Sequence, residues 1–538
     1  MLKRDFEKYG VHLSGHSRDR MNSLVAQAQE LGMGITKNLV DPALVGTLDL
    51  VGDVAAATEG LPFHLRRSFR PLADKRSGRV LGVSSPAESS TLNAILRQCD
   101  VEELRKQAFL AYTQQPADNI GLLDQLVETR HEIASIMGFT SYAHYQLDGV
   151  TLANRPEAVQ AFLQHLSTSI RPKCRQERDQ LQRAKQQGGA GSSAVQPWDR
   201  AYLMGLCKGA EGSRGVDLSQ LQEYFQLEPV VAGLSGLLQQ LMGVSLEERP
   251  LEKGEGWAPG VRKLAAVHHT EGPLGTVYLD LYQRASGKFP GAAHFTLRCG
   301  RRRADGSYQT PVVALLANLA PNAELSHSEV EMLFHEFGHA IHSLLSKTRF
   351  QHLAGTRGPL DTVEIPSHTM EHFALDARVL TPFALHRRTG SPLPPKLISA
   401  LRDSRRKFAA LEMETQLVYC AIDQLLHGPD PPTGQQAQQA VGQLVEEFNH
   451  IVGYGASYYS YLYAQCLSAN IWQQHFAADP LSRAAGEALR HKLLAPGGAQ
   501  DAHAMVEGLL GPSMMHEQHG GWYPDAHSML EQQGLLAA

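Results

Sequence analysis

Cysteine is sparse and scattered in this chain. The six residues, Cys99, Cys174, Cys207, Cys299, Cys420 and Cys466, form no C-x-x-C pair and no short spacing. That pattern excludes a cysteine-built zinc ribbon and a disulfide scaffold, and it points to reduced thiols used as core filler. Long apolar runs are missing too. The longest, Val312 to Ala320, is interrupted by Asn318 and falls well short of the roughly 18 residues that a bilayer-spanning helix needs. No membrane insertion is expected. Nor is there an excess of positive charge: 50 Lys and Arg stand against 55 Asp and Glu, a formal net charge of −5. A polyanion would meet no basic field, so nucleic acid is not an expected partner. The stretch Met1 to Lys8 has neither the apolar core of a secretory signal nor the acid-free texture of a transit peptide.

What is present is an ordinary globular composition, 538 residues with 43% hydrophobic and 20% charged, long enough for a large core and more than one lobe. Its chemistry concentrates in Phe334-His335-Glu336-Phe337-Gly338-His339. One helical turn advances about 3.6 residues, so His335 and His339 project from one face and can bind a single metal ion, with Glu336 beside them as a base. A surface helix that happens to carry two histidines is the alternative. Ser326-His327-Ser328-Glu329 has the form of a capping box, and Val330, Leu333, Phe334, Phe337, Ala340, Ile341 and Leu344 then recur at helical spacing.

The third ligand separates the subclasses. A metzincin would place a histidine six residues after His339, where this chain has Leu345, and would require glycine where it has His342. Between Ile341 and Ala400 there are only two glutamates, Glu364 and Glu371. Seven residues apart, they share a helical face, so one can bind the metal while the other supports the shell behind it.

His335-Glu336-Phe337-Gly338-His339 followed by Val363-Glu364-Ile365-Pro366-Ser367 resembles the thimet oligopeptidase family of zinc peptidases. Gly355-Thr356-Arg357-Gly358-Pro359 and Gly453-Tyr454-Gly455-Ala456 are most similar to its mitochondrial intermediate peptidase branch. The likeness spans roughly residues 75 to 511. It implies one Zn2+ held by His335, His339 and Glu364, with Glu336 as general base. It further implies a mainly α, two-lobed fold of many helices around a deep channel, with a small β-sheet beside the zinc helix. On that pattern residues 1–250 form the helical wall, lacking the family's N-terminal part, and residues 251–538 form the catalytic region with C-terminal helices. The implied activity is metalloendopeptidase cleavage of short or unfolded peptides by a monomer in the mitochondrial matrix, removing N-terminal octapeptides from imported precursors. A general oligopeptidase, for which the cytosol is the alternative compartment, and a truncated, inactive peptide-binding form are the alternatives.

The remaining stretches give local expectations. Residues 1 to 182 read as successive amphipathic helices. Leu122, Leu123, Leu126, Val127, Ile133, Ile136 and Met137 keep helical spacing up to a stop at Gly138. Gln186 to Ser193 reads as an exposed loop, and Trp198 restarts packed structure. Strand texture appears at Thr276–Tyr282 and Gln309–Leu316. Leu353 to Pro359 is a glycine-rich loop able to hinge over a cleft, with Arg357 either contacting substrate or simply exposed. Pro366 suits the first turn of a helix running to about Leu380. Tyr458 and Tyr461, three apart, share a helical face from which their hydroxyls can donate to an oxyanion, although an aromatic stripe is also ordinary core. The family resemblance implies that His450, Tyr458 and Tyr461 stabilise the tetrahedral intermediate.

Overall fold

The structure is a computed structural model that describes all residues except 1, 41–46, 53–65, 68, 75, 87–88, 114–116, 189–193, 213–217, 285–286, 289–290, 322–323, 433–451, 454 and 537–538. Most of the expected loop at Gln186 to Ser193 falls outside the described residues, as do His450 and Tyr454.

Helices dominate. The N-terminal half begins with α1 (Leu2–Lys8) and α2 (Gly15–Val40). Met21 and Leu24 of α2 pack on Ile133 and Ala134 of α3 (Ala117–Ile136), which ends just ahead of Gly138 as its spacing requires. The long α4 (Pro156–Gln187) buries Phe162, Leu166, Ile170, Cys174 and Leu181 at helical spacing. It lies against α8 (Ala409–Leu426), where Glu177 accepts the Leu411 amide at 3.0 Å. Trp198 packs edge-on against Phe109, as expected of a structural tryptophan.

One part of this half is not helical. β1 (Thr47–Val51), β2 (Arg70–Ala73) and β3 (Val80–Pro86) form an antiparallel sheet in the order β1-β3-β2, correcting the all-helical expectation for residues 1 to 182. The physical reason is visible in β1, where Leu48 and Leu50 are buried and their neighbours exposed, the two-residue period of a half-covered strand.

A second sheet supports the site. Behind α5 (Leu227–Met242) come β4 (Val244–Arg249), β5 (Arg262–His268), β6 (Gly272–Tyr282), β7 (Ala293–Arg298) and β8 (Val312–Leu319). Their order is β4-β5-β6-β8-β7; β8 runs parallel to β6 and antiparallel to β7, which is an edge. The strand texture at Thr276–Tyr282 falls in β6, and that at Gln309–Leu316 divides: Val312–Leu316 enters β8, whereas Gln309 pairs with Arg301 in a separate two-stranded sheet.

Across this sheet lies α6 (His327–Leu345). Its capping box closes as expected: Ser326 Oγ accepts the Glu329 amide and Glu329 accepts the Ser326 amide at 2.7 Å. Val330, Leu333, Phe334, Phe337, Ile341 and Leu344 join Val277, Leu279, Val313 and Leu315 in one core. At ~1.5–3 kcal/mol for each fully buried side chain, this face holds the helix firmly enough to tolerate polar groups on the other.

The polar side of α6 meets α7 (Ile365–Ala374) at unusually short range. A Cβ added at Gly338 would stand 2.5 Å from the Ser367 Cα and 2.7 Å from the Pro366 carbonyl oxygen. Both are backbone atoms, so neither can swing aside. Gly338→Ala is expected to cost ~1–3 kcal/mol through forced helix separation, read as a lowered Tm; an unchanged Tm would mean that the two helices do not touch there. Pro366 occupies the first turn of α7 as expected, but the helix stops at Ala374 rather than continuing to Leu380. Asp376 then caps a separate turn, Ala377–Leu380, by accepting the Arg378 amide, the local bonding by which Asp competes with a continuing helix.

Candidate metal centre and its surroundings

His335 and His339 lie one turn apart on α6, with ring centroids 5.1 Å apart and planes at 81°. Glu364, the residue immediately before α7, reaches back toward them. Its Oε2 is 3.5 Å from His335 Nε2 and 3.2 Å from His339 Nε2. Zinc–nitrogen and zinc–oxygen bonds of ~2.0–2.1 Å in a tetrahedron set neighbouring ligand atoms about 3.4 Å apart, and both separations lie close to that edge.

A second trio, His335, His368 and Glu371, also clusters closely enough to be considered. Here, however, His335 Nδ1 meets Glu371 Oε1 at 2.7 Å, a direct hydrogen bond and much shorter than a tetrahedral edge. Glu371 therefore orients the His335 ring, leaving Nε2 to face Glu364 and His339. Among the described residues, His339 Nδ1 is buried without such a partner. Glu371→Ala is expected to weaken metal binding by ~10–100-fold, the usual consequence of removing an outer-shell carboxylate. Competition with a chelating dye would measure this, and an unchanged affinity would exclude the orienting role.

The electrostatics ask for a cation between these side chains. Burial pushes the Glu364 carboxyl up, but His335 and His339 outweigh it and hold the group far below the ordinary carboxylate range. Burial likewise opposes charge on His335, yet Glu364 and Glu371 lift its pKa to about 10. A proton or a metal ion can satisfy this arrangement. Glu336, buried on the same helix, has its pKa raised by that burial, the direction that suits a base working near neutrality.

The backbone of His294, on edge strand β7, lies near the Glu336 carboxylate and partly offsets the effect of burial. The His294 ring stands 6.1 Å from that of His339, and its Nε2 is 3.2 Å from Ser343 Oγ. Sequence reasoning missed His294, because nothing in a strand's alternation announces a contact with a distant helix. It also missed His368, whose Nδ1 lies 3.1 Å from Glu371 Oε1. The spacing of three between His368 and Glu371 was the available signal.

A third missed residue is Asp361, fully buried three positions before Glu364. It accepts the amides of Leu152 and Ala153 at 2.9 and 2.8 Å and the Tyr459 hydroxyl at 3.0 Å. Tyr461 lies in α9 (Ser460–Ile471), whereas Tyr458 lies in the turn before it. Their rings meet edge to face at 5.5 Å, and the Tyr458 hydroxyl donates to Gln416 at 3.0 Å. A cavity of about 610 Å3 is lined by His368, Glu371 and Gln416, joining the carboxylate behind His335 to the partner of Tyr458.

Comparison with known proteins fits this geometry. Residues 95–518 match peptidase family M3. The chain is 36% identical over 564 residues to the mitochondrial intermediate peptidase of Arabidopsis thaliana, covering 99% of this chain and 78% of that protein. The mitochondrial intermediate peptidase of Homo sapiens is 36% identical over 525 residues, covering 94% and 70%. Among solved structures, one described as oligoendopeptidase F has the same fold, with a TM-score of 0.50 at 13% identity over 92% of this chain and 73% of that one. A match over most of the chain, at this identity to relatives of which it spans more than two thirds, leads to one conclusion: the chain belongs to peptidase family M3 and is a metallopeptidase.

Proposed function

We propose that the chain is a zinc endopeptidase, acting as a monomer, in which His335, His339 and Glu364 hold the ion and Glu336 is the general base. The observation that carries this is the pair of 3.5 and 3.2 Å separations from Glu364 to the two imidazoles. When bound, the ion supplies Lewis acidity, polarising a peptide carbonyl and making water more acidic. The protein does the rest. Glu336 takes the proton from the attacking water and returns it to the leaving amine. Strand β7 stands at the edge of the sheet beside this carboxylate, where an extended peptide can pair as an added strand. Tyr458, Tyr461 and His450 are assigned to the developing oxyanion, which donors of this type stabilise.

The chain acts in the mitochondrial matrix, a reading supported by the mitochondrial names of its curated relatives. Its substrates are peptides and precursor proteins there, from which it removes short N-terminal segments. The test uses the full chain with a quenched peptide and a precursor bearing an octapeptide extension. Hydrolysis should disappear with a chelator and return with zinc, and the precursor should be cut at one place. Chelator-insensitive cleavage would overturn the metal assignment. Efficient cutting of assorted peptides without defined precursor processing would favour a general oligopeptidase.

A further inference from the structure

Away from the metal ligands, a cavity of about 1210 Å3 opens between α1, α2, α3 and the loop that leads to Glu364. Sites for drug-sized molecules enclose roughly 300–1,000 Å3, so this space suits a segment of several residues. Two features define what it would accept. Its wall carries apolar side chains left uncovered by the fold: Phe6, Tyr9 and Met33 are 52, 67 and 65% exposed. Its charged lining is of one sign, Lys8, Lys37, Arg130 and Arg357, and among the described residues no Asp or Glu lines it.

These four cations are not equivalent. Lys8 lies over the Tyr145 ring and donates to the Gln146 carbonyl. Arg130 donates to the Val452 carbonyl at 2.6 Å and sits 2.9 Å from His427 Nε2. Their side chains are used to build the wall. Lys37, on α2, and Arg357, in the loop that leads to Glu364, form no ion pair among the described residues, and both are exposed. Two cations from separate elements lining an apolar space, with no acid among its described lining residues, are complementary to a carboxylate on an apolar peptide.

We infer that this cavity is a substrate subsite in which Lys37 and Arg357 bind a peptide carboxylate, either a C-terminal one or an Asp or Glu side chain, while the apolar wall holds the residues beside it. This rests on the peptidase function proposed above. The subsite reaches the chemistry through its own lining, since Arg357, Gly358 and Leu360 belong to the segment that delivers Glu364. Arg357 thereby gains a role that its loop position left open.

The test reads binding separately from cutting. Labelled peptides are titrated into the zinc-loaded full chain carrying Glu336→Gln, so affinity is measured by anisotropy with turnover suppressed. One peptide pair differs as C-terminal acid against amide, another as internal Glu against Gln. The acid of at least one pair should bind about tenfold more tightly than its neutral partner, the scale of one charge-assisted hydrogen bond. Which pair shows it identifies the source of the carboxylate. Adding Arg357→Ala or Lys37→Ala should bring that ratio close to one, and Arg357→Lys should restore part of it. Equal affinity within both pairs, or a ratio unmoved by either alanine, would overturn the subsite. A wild-type chain that cuts nothing while the ratio persists would instead count against the peptidase function alone.

Discussion

Replacement of Glu336 by Gln is expected to leave metal content unchanged and to lower kcat by ~10²–10⁴-fold, the usual contribution of a positioned acid–base group. The substitution keeps size and a hydrogen-bond acceptor but removes the capacity to take a proton. Glu336 belongs to neither of the side-chain clusters among the described residues that could hold an ion, so binding and proton transfer separate in this variant. Metal analysis of the dialysed protein alongside single-turnover hydrolysis would measure both. Hydrolysis near the wild-type rate would exclude Glu336 as base, and loss of metal would make it a ligand.

Glu364→Ala should have the complementary effect, with metal affinity falling more than ~100-fold, beyond the range expected for the outer-shell residue Glu371. It should also change how the metal-free protein responds to pH. His335 has its pKa raised from 6.5 to about 10 by carboxylate partners that outweigh burial. A raised pKa means stability that is fully present below the unfolded value and is lost as pH rises through the folded value. Metal-free protein should therefore lose Tm between about pH 6.5 and 10. Metal-loaded protein should lose much less, because the ion replaces the proton between the carboxylates. In Glu364→Ala the alkaline loss should shrink, since one of the two carboxylates is gone. Thermal melts with and without chelator across that range would show this, and identical profiles would refute the electrostatic account.

The parts of this molecule that were legible in its sequence are those set by local rules. The helix α6 announced itself through a capping box and an apolar stripe, and its two histidines followed from the helical repeat. The pair Glu364 and Glu371 was found by elimination, and the division of labour between them emerged as one facing two imidazoles and one behind His335. What could not be read depends on contacts between distant segments. His294 comes near Glu336 only because β7, like β6 and β8, packs against α6. The sheet of β1, β2 and β3 was overlooked because its short strands sit between helices, and because β1 and β3 pair across a long intervening segment. The break after Ala374 was missed because Asp376 can cap or continue a helix, and local hydrogen bonding decided it.

Asp361 shows what such distant contacts accomplish. It fastens Leu152 and Ala153, the tyrosine ahead of α9 and the turn that precedes Glu364 into one knot. A buried carboxylate with three donors resists being pulled from any of them. Strain applied to any one of these segments is therefore felt at the other two, and the turn before Glu364 is among them.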